Sequence, residues 1–322
     1  MTTERSRPSR RVSRIIALIV LLGAPGWASA QTRFSGVVVF GTSLSDPGNA
    51  FALSGTASTP ADFSLNPLLI PSAPYAMGGH HFSNGATWIE QFARSAGLAD
   101  SARAAFASDD PRAANFAVSA ARAYDDGVNF NLSRQVSAYL QRVGNVAPVS
   151  QLYVIEMGSN DIRDAFQVYA GGGNGGAILQ AALASIAANI QALYAAGARD
   201  FLVWAAPNVA LTPALRSLGP AAGALAGAIT QAFNGGLSQT LAQLMGALPG
   251  IYVVRLDAYR LLNDIVADPA AFGLTEVTSA CLTPGGSPFV CQWPDQYLFW
   301  DGIHPTKAGH AILAREAAAI LQ

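Results

Sequence analysis

Charge is scarce in this chain. Asp, Glu, Lys and Arg make up 12% of the 322 residues and the formal net charge is −1, so no general field draws nucleic acid. Lysine is nearly missing: Lys307 stands alone against eighteen arginines. That imbalance, like the abundance of Ala and Gly, reads as compositional bias rather than function. The histidines are only His80, His81, His304 and His310, which narrows the choice of any imidazole base. A Gly-x-Gly-x-x-Gly turn after the first strand and a Gly-x-x-x-x-Gly-Lys loop are both missing, which argues against a nucleotide-binding doubly wound protein. Long apolar runs are scarce as well. The run from Ile15 to Ala24 has ten residues, short of the ~20 that span a bilayer, and no later stretch reads as long and uninterrupted enough. What is present is apolar material, 51% of the chain, enough for a large core in one α/β domain or two small ones.

The first thirty residues read as separate from the fold. Five arginines between Arg5 and Arg14 precede the Ile15–Leu22 apolar run, and Ala28-Ser29-Ala30 follows. This is the pattern of a secretory signal peptide over residues 1–30, with cleavage expected after Ala30. Arg10-Arg11 hints at twin-arginine export, without the usual Phe after it. Removing this segment takes away five arginines and Glu4 and leaves 14 basic against 19 acidic residues, a net −5. Residues 31–322 then form the functional domain, expected to be a secreted or periplasmic monomer. In an oxidising compartment Cys281 and Cys291 are expected to pair.

Four short apolar runs, Val37–Phe40, Leu152–Met157, Phe201–Trp204 and Ile251–Val254, read as strands, and Asn115–Val118 as a shorter fifth. Continuous rather than alternating apolar character predicts a sheet covered on both faces. Between the runs, helical spacing covers Leu132–Val143, Ala177–Ala196, Ala221–Leu248 and Lys307–Leu321. Strand–helix alternation predicts a mostly parallel α/β sheet with helices on both sides. Residues 50–85, with four prolines among apolar side chains, read as a loop excursion.

In such a sheet the chemistry lies at the C-terminal ends of the strands. After the first strand come Ser43 and Ser45, either of which exposes a hydroxyl at a helix N-terminus or simply caps that helix. After the second comes Gly158-Ser159-Asn160-Asp161, where the Asn160 amide suits a developing oxyanion or a turn. Near the C-terminus, His304 precedes Pro305, which biases it toward an extended backbone. Asp301, three residues earlier, folds back to orient the imidazole or serves as a turn residue. His310 sits about one turn into the following helix and reads as structural or exposed. His80-His81 are adjacent, face different ways in an extended segment, and make no metal site.

Together these segments resemble the GDSL, or SGNH, esterase/lipase family. Phe40-Gly41-Thr42-Ser43-Leu44-Ser45-Asp46-Pro47-Gly48-Asn49 is similar to its block Phe-Gly-Asp-Ser-Leu-Ser-Asp-x-Gly-Asn. Asn115–Ala121 is similar to Asn-Phe-Ala-x-Gly-Gly-Ala, Gly158–Asp161 to Gly-x-Asn-Asp, and Asp301–Pro305 to Asp-x-x-His-Pro. The likeness is greatest to the long branch with plant lipases and autotransporter esterase passenger domains. Only eighteen residues follow His304, so the C-terminal barrel of an autotransporter is not expected. The resemblance implies a three-layer α/β/α flavodoxin-like fold with five parallel strands. It implies Ser43 as nucleophile, His304 as general base and then acid, and Asp301 as its orienting carboxylate. It implies an oxyanion hole from the N–H groups of Ser43 and Ser119 and the Asn160 amide, with no metal or cofactor. Two departures stand out: Thr42 replaces the Asp before the nucleophile, and Ser119-Ala120 replaces the glycine pair. The implied activity is a serine carboxylester hydrolase on short- to medium-chain esters. Acyl transfer to a lipid alcohol and a non-catalytic binding module are the alternatives, to be separated by product analysis and by a serine-directed probe.

Overall fold

The computed structural model describes residues 1–2, 33–54, 81–282 and 290–322. The expected signal peptide, most of the 50–85 excursion and His80 lie outside them.

Four strands form one parallel sheet: β1 (Gly36–Gly41), β2 (Gln151–Glu156), β3 (Asp200–Ala205) and β4 (Tyr252–Asp257), in the order β1-β2-β3-β4. Val39 pairs with Val154, Val154 with Leu202 and Leu202 with Val254. Side chains alternate across the sheet. Val38, Phe40, Tyr153, Ile155, Phe201 and Val203 enter one core. It is closed by α3 (Leu132–Arg142), α4 (Ser159–Ala170), α5 (Gly176–Ala196) and α7 (Pro220–Ala247). Val37, Val39, Leu152, Val154, Leu202, Trp204 and Leu256 enter the other, closed by α2 (Trp88–Ser95) and α9 (Lys307–Ile320). The fold is thus a three-layer α/β/α sandwich of the flavodoxin type. Short α1 (Asn49–Ser54) and α6 (Pro213–Ser217), and α8 (Ala258–Ala267), complete the helices named here.

The sheet has four strands among the described residues instead of the expected five. Asn115 makes a single parallel bridge to Val39, bonded through Val39 N–H to Ala114 O at 3.0 Å and Phe116 N–H to Val39 O at 2.8 Å. Val118 N–H still donates to Gly41 O at 3.1 Å, but the Gly41 N–H, the next donor in register, goes to Gln135 Oε1 at 2.9 Å and the ladder is not completed. Counting this segment, the chain steps outward from β1, returns, and crosses to β2. The switch point therefore opens between the C-terminal ends of β1 and β2, where a flavodoxin-like sheet places its ligand.

A second, two-stranded parallel sheet, β5 (Glu276–Ala280) with β6 (Tyr297–Phe299), has no counterpart in the sequence reading. It carries the Cys281–Cys291 disulfide, whose Cα atoms are 4.9 Å apart and which packs with Trp300. The 21-residue α5 corrects a further expectation, because by length and composition it is apolar enough to cross a membrane. Its Leu179, Ala182, Ile186, Ile190 and Leu193 lie in the core against the sheet.

Candidate active site

β1 ends at Gly41, and the chain turns at once: Ser45 N–H donates to Thr42 O at 3.0 Å. This lifts Ser43 above the strand end. Asp46 then clamps the loop. Its carboxylate accepts the N–H groups of Gly48, Asn49 and Ala50 at 2.8, 2.6 and 3.1 Å, at the start of α1. Burial pushes its carboxyl up to about 6 against the pull of these donors. Asn49 staples the loop to the neighbouring segment by donating to Asn115 O and Ala117 O at 2.7 and 2.8 Å.

The loop from Trp300 to Thr306 is built on its own backbone. Thr306 caps α9 by accepting the Gly309 N–H at 3.1 Å. Asp301 Oδ1 accepts the N–H groups of Ile303 and His304 at 2.9 and 2.7 Å, which turns its Oδ2 toward the imidazole. His304 Nδ1 lies 2.7 Å from that oxygen, and His304 Nε2 lies 2.8 Å from Ser43 Oγ. All three side chains are buried. With Nδ1–H directed at the carboxylate, the lone pair of Nε2 meets the serine hydroxyl. This is the order of groups that removes a proton from an attacking hydroxyl.

Asn160 follows β2 in the first turn of α4. The chain reaches it through Gly158 at φ 117°, where an added Cβ would lie 2.4 Å from Phe233. One N–H of the Asn160 amide donates to Ala121 O at 2.8 Å. This orients the amide and leaves its second N–H for the cleft that Asn160 shares with Ser43 and His304. Asp161 accepts the N–H groups of Ala123 and Tyr124 at 2.9 and 3.1 Å and so joins α4 to the segment that follows the Ser119–Ala121 turn.

Ser119 departs from its expected role. Its N–H donates to Asp46 Oδ2 at 2.8 Å, so it is already engaged. The turn explains why: Ala121 N–H bonds Val118 O at 3.2 Å, and Ala120 has φ 63°. A reversal with positive φ at its third residue is the place for glycine, and alanine occupies it here. Among the described residues the Ala120 and Ser43 N–H groups have no acceptor.

The cleft beside these groups has a cavity volume of about 80 Å³ and is walled by Ile162, Phe166, Pro207, Val209, Leu215 and Ile303. His81 is held by Glu90 at 2.9 Å, and among the described residues no cluster of His, Cys, Asp and Glu is arranged to hold a metal. His310 is buried, with Nδ1 accepting the Trp88 N–H at 3.2 Å, a structural position.

The profile of the family described as GDSL-like Lipase/Acylhydrolase matches residues 37–317, nearly everything from β1 to α9. The chain belongs to the GDSL-like lipase/acylhydrolase family. It is similar to Arabidopsis thaliana GDSL esterase/lipase At1g29660, 26% identical over 93% of this chain and 91% of the relative. GDSL esterase/lipase At1g71691 from the same plant is 27% identical over 87% of the chain and 80% of the relative. GDSL esterase/lipase At2g04570, also from Arabidopsis thaliana, is 29% identical over 51% of the chain, which spans about half of that relative, 52%.

Within this GDSL domain, three acids escaped the sequence reading of the site: Asp46, Asp161 and Glu156. Glu156 ends β2 and accepts the Thr42 N–H at 2.9 Å, buried and pushed up to about 7 by that burial. Its signal was a lone acid in an otherwise apolar run.

Proposed function

We propose that this GDSL-family chain is a serine carboxylester hydrolase working through an acyl-enzyme. The observation that carries the reading is the continuous chain from Asp301 Oδ2 through His304 to Ser43 Oγ, with links of 2.7 and 2.8 Å. His304 Nε2 takes the Ser43 proton as Oγ attacks the ester carbonyl. Asp301 holds the ring and stabilises the imidazolium. The oxyanion is met by the Ser43 N–H and the second N–H of Asn160. Ala120 N–H, unengaged and one residue beyond Ser119, takes the place Ser119 was expected to fill. His304 then passes its proton to the departing alkoxide. Water, deprotonated by the same imidazole, cleaves the acyl-enzyme and restores Ser43.

The apolar wall and the small cavity volume of about 80 Å³ favour short- to medium-chain esters. Residues 1–30 as an export signal and residues 31–322 as the working domain complete the reading, and the Cys281–Cys291 disulfide fits an oxidising compartment. The test is turnover of p-nitrophenyl acetate, butyrate, octanoate and palmitate by the protein and its Ser43→Ala variant. Butyrate turned over faster than palmitate, with both lost in Ser43→Ala, supports the reading. Faster palmitate turnover overturns the chain-length assignment, and turnover kept in the variant overturns the nucleophile.

A further inference from the structure

Glu156 is the one acid in β2 and is 1% exposed. Its carboxylate accepts the Thr42 backbone N–H at 2.9 Å and the Thr42 hydroxyl at 3.0 and 3.1 Å, and it also bonds the Ser45 side chain. Thr42 and Ser45 bracket Ser43, so a single buried group grips the loop on both sides of it. The fit is close: a Cβ on Gly41 would lie 2.9 Å from Glu156 Oε2 and 3.0 Å from Ser45 Cβ. Among the described residues no cation contributes to holding this carboxyl, and hydrogen bonds offset its burial. A buried acid without a counter-ion is costly.

The geometry shows what that cost secures. Thr42 is fixed at both ends, its N–H by Glu156 and its C=O by the Ser45 N–H at 3.0 Å. The peptide plane between Thr42 and Ser43, which carries the Ser43 N–H, is therefore pinned. The GDSL pattern has aspartate immediately before its serine, and this chain has Thr42. The carboxyl missing from the loop reaches it from the adjacent strand.

We propose that Glu156 is a positioning residue for the reaction at Ser43, supplying from β2 the carboxyl that the family pattern carries at position 42. The inference rests on the reading of Ser43 as nucleophile. Glu156 touches no reacting atom; it sets the direction of the Ser43 N–H and hydroxyl. Its removal therefore acts on kcat rather than on KM.

The experiment compares the full chain with Glu156→Ala, Glu156→Gln, the double variant Thr42→Asp/Glu156→Ala, and Ser43→Ala, using p-nitrophenyl butyrate. Glu156→Ala should lower kcat by at least about tenfold, because misplacement by about an ångström costs up to ~100-fold, with KM changed less than about threefold. Glu156→Gln keeps an acceptor for the Thr42 N–H and should stay within about threefold of the parent. The double variant returns a carboxyl to the loop and should recover at least about threefold over Glu156→Ala. An unchanged kcat in Glu156→Ala overturns the inference, as does a folded double variant no better than the single one. If Glu156→Ala does not fold, the double variant decides: folded and active supports the inference, unfolded or inactive overturns it. Turnover lost in Ser43→Ala but full in Glu156→Ala overturns this inference alone. Turnover kept in Ser43→Ala overturns the nucleophile reading and this inference with it.

Discussion

The backbone N–H of Ser119 ends on the carboxylate of Asp46, 2.8 Å away and 73 positions earlier in the chain. This one bond ties the loop after β1 to the turn that follows the Asn115 bridge. It also withdraws from the cleft a donor that the family pattern places there. Asp46 holds four backbone donors in all, those of Gly48, Asn49, Ala50 and Ser119. Asp46→Ala would leave all four without this acceptor, two of them (Gly48 and Asn49) at buried residues. The expected loss is about 2–4 kcal/mol in denaturant unfolding. A variant as stable as the parent would show that the clamp contributes nothing.

Asn160→Ala removes the one side chain proposed to meet the oxyanion. A fall in kcat of about 100- to 1000-fold is expected, with a smaller change in KM. Steady-state kinetics on a short-chain ester checks this. A kcat within about threefold of the parent would mean that the amide serves only its bond to Ala121 O.

His310 gives the chain a definable acid sensitivity. Burial, with His304 and His81 nearby, lowers its pKa from 6.5 to about 3. The unfolded chain therefore binds this proton more readily, and the stability tied to neutral His310 is full above 6.5 and lost as pH falls toward 3. Asp46, Asp161 and Glu156 act in the opposite sense. Burial raises their carboxyls to about 6, 6 and 7, so the stability they lend is full at low pH and lost as pH rises through those values. Their effect cancels between the parent and His310→Gln, whose amide still accepts the Trp88 N–H. The stability gap between the two should shrink by about 1 kcal/mol per unit as pH falls from 6 to 4. Parallel curves would show that His310 does not titrate in this way.

The disulfide closes a loop of sequence separation 10 beside Trp300, the residue before Asp301. Cys281→Ala/Cys291→Ala should cost about 2–3 kcal/mol of stability. Ester turnover well below the unfolding temperature should be retained, because Asp301 is fixed by its own loop through Ile303 and His304 N–H. Equal melting temperatures with and without the bond would contradict the stability estimate.

The sheet and the long helices were legible because their signals are local. Val37–Phe40 lies one residue inside each end of β1, and Ala177–Ala196 one residue inside the start of α5. Ser43, Asp301 and His304 were legible from their blocks, although 261 positions separate the serine from the histidine that meets it. What the sequence could not carry is commitment of groups. Nothing in Ser119 says that its N–H belongs to Asp46, since that pairing depends on a turn with Ala120 at φ 63°. In the sequence Glu156 is one acid in an apolar run, and its partners on Thr42 are set by the register of β1 and β2. The β5–β6 pair leaves no signal in the sequence because its five- and three-residue strands lack a sustained apolar run.

The central claim is that Ser43 is the residue acylated in turnover. The most direct measurement is incubation of the protein with a fluorophosphonate, followed by intact mass and peptide mapping. The account expects one stoichiometric adduct on Ser43, none in Ser43→Ala, and slowed labelling in His304→Ala. An adduct on Ser45 or Ser119, or undiminished labelling of Ser43→Ala, would contradict it.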